Sequence, residues 1–120
     1  MKVGIESHAI GSRVGGNETY ARGLLAGLAK IGWAQNCRVY LTQAGLAETG
    51  ARLREQDFET AVVSAGAAVR LLWSLPREIL RCPVDILQAQ YHLPVFLPAQ
   101  GVITVHDVSF MRYPEFFTRR

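Results

Sequence analysis

Two polar stretches far apart in the chain carry residues that could do chemistry. The first, Gly11-Ser12-Arg13-Val14-Gly15-Gly16-Asn17-Glu18-Thr19-Tyr20, is a glycine-rich loop between a strand-like start and a helix-like run. Glycines let a backbone turn sharply and approach a ligand. The amides and positive dipole end of the following helix attract negative charge. Such a loop either cradles a phosphate or sugar diphosphate, through Gly15, Gly16, Asn17 and Glu18, or serves only to make the turn. The second stretch is Thr104-Val105-His106-Asp107. His106 could be a base, a hydrogen-bond donor to substrate, or a histidine satisfied by Asp107. Glu18 in a first helical turn also suits the dipole without any ligand. His8, just after the first strand, is a further residue on the ligand edge, and His92 lies in a proline loop whose role the sequence leaves open.

Other chemistries lack their residues. Gly11, Gly15 and Gly16 are not spaced as GxGxxG, and the second strand ends in Leu41-Thr42 without a ribose-binding acid, which disfavours a dinucleotide site. The loop also lacks the Lys-Ser or Lys-Thr of a P-loop. Cys37 and Cys82 form no CxxC pair and sit beside apolar runs, so they read as buried thiols, and no metal site is expected. Ser109 follows His106 too closely for a triad, and Cys82 precedes Pro83 at a helix end.

The elements that must position these residues follow from periodicity and punctuation. Residues 2–7, 37–42, 60–63, 85–89 and 101–105 read as strands. Asn17 is expected to cap a helix whose buried face is Tyr20, Leu24, Leu25, Leu28 and Ile31, with Gly32 as its stop. Residues 46–55 form a second helix. Residues 67–81 should be mostly helical, with Pro76 kinking that helix or starting another. Strands alternating with helices define an α/β, doubly wound, Rossmann-like parallel sheet with helices on both faces. Ligands of such sheets bind beyond the carboxyl ends of the strands, so the glycine loop and His106-Asp107 are expected to share one cleft.

The 120 residues, 49% hydrophobic, suffice for one core. The net charge of +3 comes from 13 basic and 10 acidic residues that are dispersed, apart from the doublet Arg119-Arg120, so no nucleic-acid footprint is present. Neither a signal-peptide pattern nor an apolar run approaching the ~18 residues of a membrane span occurs. A cytoplasmic location is the expectation, with attachment at a membrane surface left open. Residues 113–120 read as a turn into a helix that leaves Phe116 and Phe117 uncovered, as at an interface, and point to a fragment of a longer protein.

With these residues assembled, the chain resembles the N-terminal domain of the GT-B-fold glycosyltransferases, specifically the large retaining family 4 (group 1 type). Three segments carry the match: Lys2-Val3-Gly4-Ile5, the loop and helix from Gly15 to Leu25, and the segment from Thr104 to Phe117, the last being the most specific. The resemblance implies that residues 1–120 are the acceptor-side, Rossmann-like domain of a two-domain enzyme, inactive without a C-terminal donor-binding domain. It further implies transfer of a hexosyl unit such as mannose or glucose, with retention, from a nucleotide sugar to a glycan, lipid or small-molecule acceptor. No metal and no resident cofactor are implied. Gly15 and Gly16 match the loop that approaches the donor diphosphate. His106 matches the histidine that reaches the transferred sugar, where it would orient that sugar and stabilise developing charge. The family often has Asp-Ala-Arg where this chain has Glu6-Ser7-His8. The rival reading is a stand-alone binding or interaction module whose Phe116-Phe117 end docks a partner or a second copy. A flavodoxin-like or receiver-like domain would need an acidic cluster after strand one and an Asp after strand three, and neither is present.

Overall fold

The second strand is buried on both faces, as a parallel sheet covered by helices on both sides requires. Cys37, Val39 and Leu41 point one way and Tyr40 the other, and all four are fully buried. The structure, a computed structural model, describes residues 1–13 and 15–116. Its five strands are β1 (Val3–Glu6), β2 (Cys37–Leu41), β3 (Glu59–Val62), β4 (Ile86–Gln90) and β5 (Gln100–Thr104). All pairings are parallel and the order is β3-β2-β1-β4-β5. In the register, Ile5 on β1 faces Val39 on β2 and Gln88 on β4. The fold is Rossmann-like, as the sequence implied.

Helices α1 (Gly15–Lys30) and α2 (Gln43–Glu55) cover one face, with Ala21, Leu25 and Leu53 packed on Ile5, Val39 and Leu41. The other face is covered by α3 (Ala67–Val69), a π turn (Arg70–Ser74) and α4 (Leu75–Arg81), with Leu75 and Ile79 packed on Tyr40, Ala61 and Leu87. The chain therefore changes face between β3 and β4. Because β1 and β4 are neighbours whose connections leave on opposite faces, a crevice opens beyond Glu6 and Gln90.

Several local expectations change. Gly32 ends α1 as expected: its φ is +72°, its N–H donates to the Ala29 carbonyl and that of Trp33 to the Leu28 carbonyl, a Schellman motif. Asn17, however, is the third residue of α1 and not its cap. Ile31 lies past the helix end and is exposed, and Cys82 is exposed while Cys37 is buried. The second helix begins at Gln43, where the Thr42 side chain accepts from the Gly45 N–H. Pro76 has no N–H to give the turn before it, and the helix accommodates this by widening: the Leu75 N–H donates to the Arg70 carbonyl five residues back. Phe116 is 78% exposed, and Phe117 and Arg119-Arg120 lie outside the described residues. No described helix is long and apolar enough to cross a membrane.

The loop after β1 is seated on the start of α2. A Cβ on Gly45 would stand 2.7 Å from the Ile10 carbonyl oxygen, and one on Gly11, whose φ is +83°, would stand 3.0 Å from the Gly45 nitrogen. Both obstacles are backbone and cannot swing aside. Gly45→Ala should therefore destabilise the domain by about 1–3 kcal/mol, the usual cost of overpacking. Urea unfolding measures this, and a midpoint at or above that of the parent would show that the loop seat is looser than described.

Candidate functional site

The two polar stretches meet at the carboxyl ends of the strands. The Gln90 side chain, buried at the end of β4, donates from Nε2 to the Asn17 carbonyl (3.2 Å) in the first turn of α1. That bond fixes the amide, so Oε1 faces His106 and accepts from its Nε2–H (2.9 Å). The His106 ring also packs edge-on against Tyr20 (centroids 4.5 Å apart) and Tyr91 (5.7 Å). Tyr20 is thus only half-buried and belongs to the site, where its hydroxyl pairs with Thr104 Oγ1 (3.1 Å), which also accepts from Gln88 Nε2. Periodicity assigned Tyr20 to the core because its spacing matches Leu24 and Leu28.

Asp107 does not satisfy His106. Its carboxylate accepts from the Ser109 N–H (2.6 Å) and hydroxyl (2.7 Å) at the start of α5 (Ser109–Arg112), and these two donors hold its pKa below the ordinary value. Gly15 and Gly16 are exposed at the N-terminus of α1, and a Cβ on either would meet nothing within 4 Å. Glu18 has an occupation of its own. It accepts from the Arg22 guanidinium (2.7 Å), and from the N–H groups of Gly11 (3.1 Å) and Arg13 (2.9 Å), so its carboxylate fills the loop's own amide cradle. Arg22 in turn pairs with Glu48 on α2. The first amides of α1, as at any helix start, have no intrahelical partner.

The cleft brings His8 and Asn17, which the sequence singled out, together with Glu6, Arg70, Gln90 and Tyr91, which it did not. It has a volume of about 370 Å³ and is lined by Glu6, His8, Asn17, Arg70, Gln90, Tyr91 and His92. Glu6 and Arg70 are both buried, 3% and 5% exposed. His8 Nδ1 lies 2.7 and 2.8 Å from the two Glu6 carboxylate oxygens. Arg70 Nε is 3.3 Å from Glu6 Oε1, an ion pair out of line for a hydrogen bond, while its Nη1 donates to the carbonyls of Ala65 (3.0 Å) and Ser64 (3.4 Å). Arg70 opens the π turn, a distortion often found at functional sites. Tyr91 has a φ of +64°, and the His92 N–H bonds back to the Gln90 carbonyl (2.8 Å), a strained γ-turn that swings the chain around the cleft. Among the described residues no three His, Cys, Asp or Glu side chains converge as metal ligands.

The fold and this cleft define a class: an all-parallel, Rossmann-like α/β domain with a polar cleft where the strand order reverses. No protein-family model, no curated protein and no solved structure matches the chain.

The hydrogen bond from Arg22, then that from Gly11, holds the Glu18 carboxyl below its ordinary value of 4.5. A carboxylate depressed by folding contributes stability in full above its unfolded-state pKa, and loses it as pH falls through the folded-state value. The amide resonances of Gly11 and Arg13 should accordingly titrate together with a midpoint under 4.5, and stay still in Glu18→Gln. Independent midpoints, or a shared one at the ordinary value, would detach Glu18 from the loop.

Proposed function

We propose that residues 1–120 form the acceptor-side domain of a retaining GT-B hexosyltransferase, acting with a second Rossmann-like unit that binds the nucleotide. The observation that supports this reading best is the bridge from His106 through Gln90 to the Asn17 carbonyl, which links the residue that would face the transferred sugar to the helix end that would face the diphosphate. In this reading the donor is a nucleotide sugar, its diphosphate approaches Gly15 and Gly16, and no cofactor takes part. His106 spends its Nε2–H on Gln90, which leaves Nδ1 as the nitrogen open to a sugar hydroxyl. Asp107 and Glu18 shape the walls through Ser109 and the loop amides, and Glu18 contributes no charge to spare for catalysis. The reaction is cytoplasmic in this reading, with or without peripheral contact at the inner membrane face, and does not involve nucleic acid.

Gly16 gives a clean test, because a Cβ there meets nothing within 4 Å among the described residues. In a protein carrying both units, Gly16→Val should weaken binding of UDP-glucose or GDP-mannose in calorimetry, and equal affinity would contradict the cradle. In a protein carrying both units, His106→Ala should lower turnover roughly tenfold or more, which is about 1.4 kcal/mol of transition-state binding. Unchanged turnover removes His106 from the mechanism.

One observation favours the rival reading of a binding module. Phe116 is 78% exposed, and on the edge strand β5 Val102 and Ile103, one on each face, and the following Val105 are also open to solvent, apolar exposure of the kind an interface would cover. Sedimentation separates the two. A concentration-dependent dimer of the 120-residue chain supports the module; a monomer at all concentrations supports the transferase domain.

A further inference from the structure

The Glu6, His8 and Arg70 cluster is not used by the reaction outlined above, and it lies where the chain departs from the family it resembles. An ionised carboxylate only accepts hydrogen bonds, so the two short contacts from Glu6 require the proton of His8 to sit on Nδ1. The Nε2 lone pair is then free, with no partner among the described residues, on a ring that lines the 370 Å³ cleft. His106 is held the opposite way, with its proton on Nε2.

The charged groups facing His8 are Glu6 from β1 and Arg70 from the π turn. Arg70 stands 3.3 Å from the same carboxylate, so the buried pair is balanced with the imidazole neutral. The other polar groups of the cleft, Asn17, Gln90, Tyr91 and His92, carry no fixed charge and both donate and accept. Such a lining suits a hydroxylated neutral ligand better than an anion, because Arg70 is already matched by Glu6.

The geometry points to Glu6 and His8 as a proton-accepting dyad for an alcohol or sugar hydroxyl bound in this cleft. His8 Nε2 takes the hydroxyl proton as the O–H bond breaks, and the electron pair stays on oxygen. Glu6, a positioning residue, fixes the tautomer and faces the imidazolium that forms. Under the glycosyl-transfer reading, the bond from the anomeric carbon to the donor phosphate breaks, the phosphate keeping the electron pair, and the hydroxyl oxygen bonds to that carbon on the same face, so that configuration is retained. The inference rests on that reading only for the electrophile.

Nitrogen NMR of the imidazole-labelled 120-residue chain near neutral pH tests it without any nucleotide sugar. His8 should show a protonated Nδ1 and an unprotonated Nε2, and only its Nε2 resonance should move when methyl glucoside is added. That shift should persist in His106→Ala, and binding of methyl glucoside in calorimetry should weaken in His8→Gln. A proton on Nε2, an imidazolium, or an Nε2 resonance indifferent to methyl glucoside overturns the dyad. A response to inorganic phosphate in place of the glucoside overturns it in favour of an anion site. Loss of donor binding in Gly16→Val is read on a different ligand, so either reading can fail while the other stands.

Discussion

Glu6 ends the central strand with a carboxylate that has been taken out of water, and the architecture around the cleft meets its need for partners. An ionised group this deep is tolerated only when charge and hydrogen bonds replace its solvent. Arg70 supplies the charge from the helical run that covers the face of the sheet Glu6 lies on, and His8 supplies the hydrogen bond from two residues along. Both depend on the topology. Only because the chain changes face between β3 and β4 can the helical run after β3 place Arg70 beside the end of β1. Only the π turn starting at Arg70 lets that run continue toward Pro76 without breaking.

A second internal carboxylate governs the glycine loop. Glu18 reaches back from α1 to the amides of Gly11 and Arg13, so the protein provides from its own chain the anion such a loop would otherwise hold. Its effect is to tie the loop to α1, with Gly15 and Gly16 exposed at the helix end. A diphosphate would then meet a preformed edge, and the ordering cost of the loop is met before any ligand arrives.

The strands and their parallel arrangement were legible because β-branched and apolar runs bounded by glycine and polar residues have few alternatives in an alternating α/β chain, whereas their order, β3-β2-β1-β4-β5, came only with the structure. The meeting of the glycine loop with His106 was legible for the same reason, since parallel strands bring all their carboxyl ends to one edge. Arg70 was not legible: nothing local marks an arginine in an apolar helical run as buried, and its orientation depends on a π turn and a partner 64 positions away. Tyr20 was misassigned because helical spacing identifies a face but not what lies opposite it, here an imidazole at one end and a leucine core further along. Cys82 was misassigned because an apolar neighbourhood in sequence says little about a residue at a helix end. The one legible hint of the buried cluster was the polar run Glu6-Ser7-His8 at the end of a central strand, where burial leaves a carboxylate and an imidazole no neutral explanation except each other.

Two imidazoles now stand at the same sheet edge, with their protons on opposite ring nitrogens. His106 gives its Nε2–H to an amide oxygen and is braced by Tyr20 and Tyr91, so little about it changes unless a ligand reaches Nδ1. His8 gives its Nδ1–H to a carboxylate, which leaves Nε2 as the nitrogen that faces the cleft. The two rings therefore differ by what stands behind each: the Gln90 amide turns the Nδ1 of His106 toward a ligand, and the Glu6 carboxylate turns the Nε2 of His8 toward one.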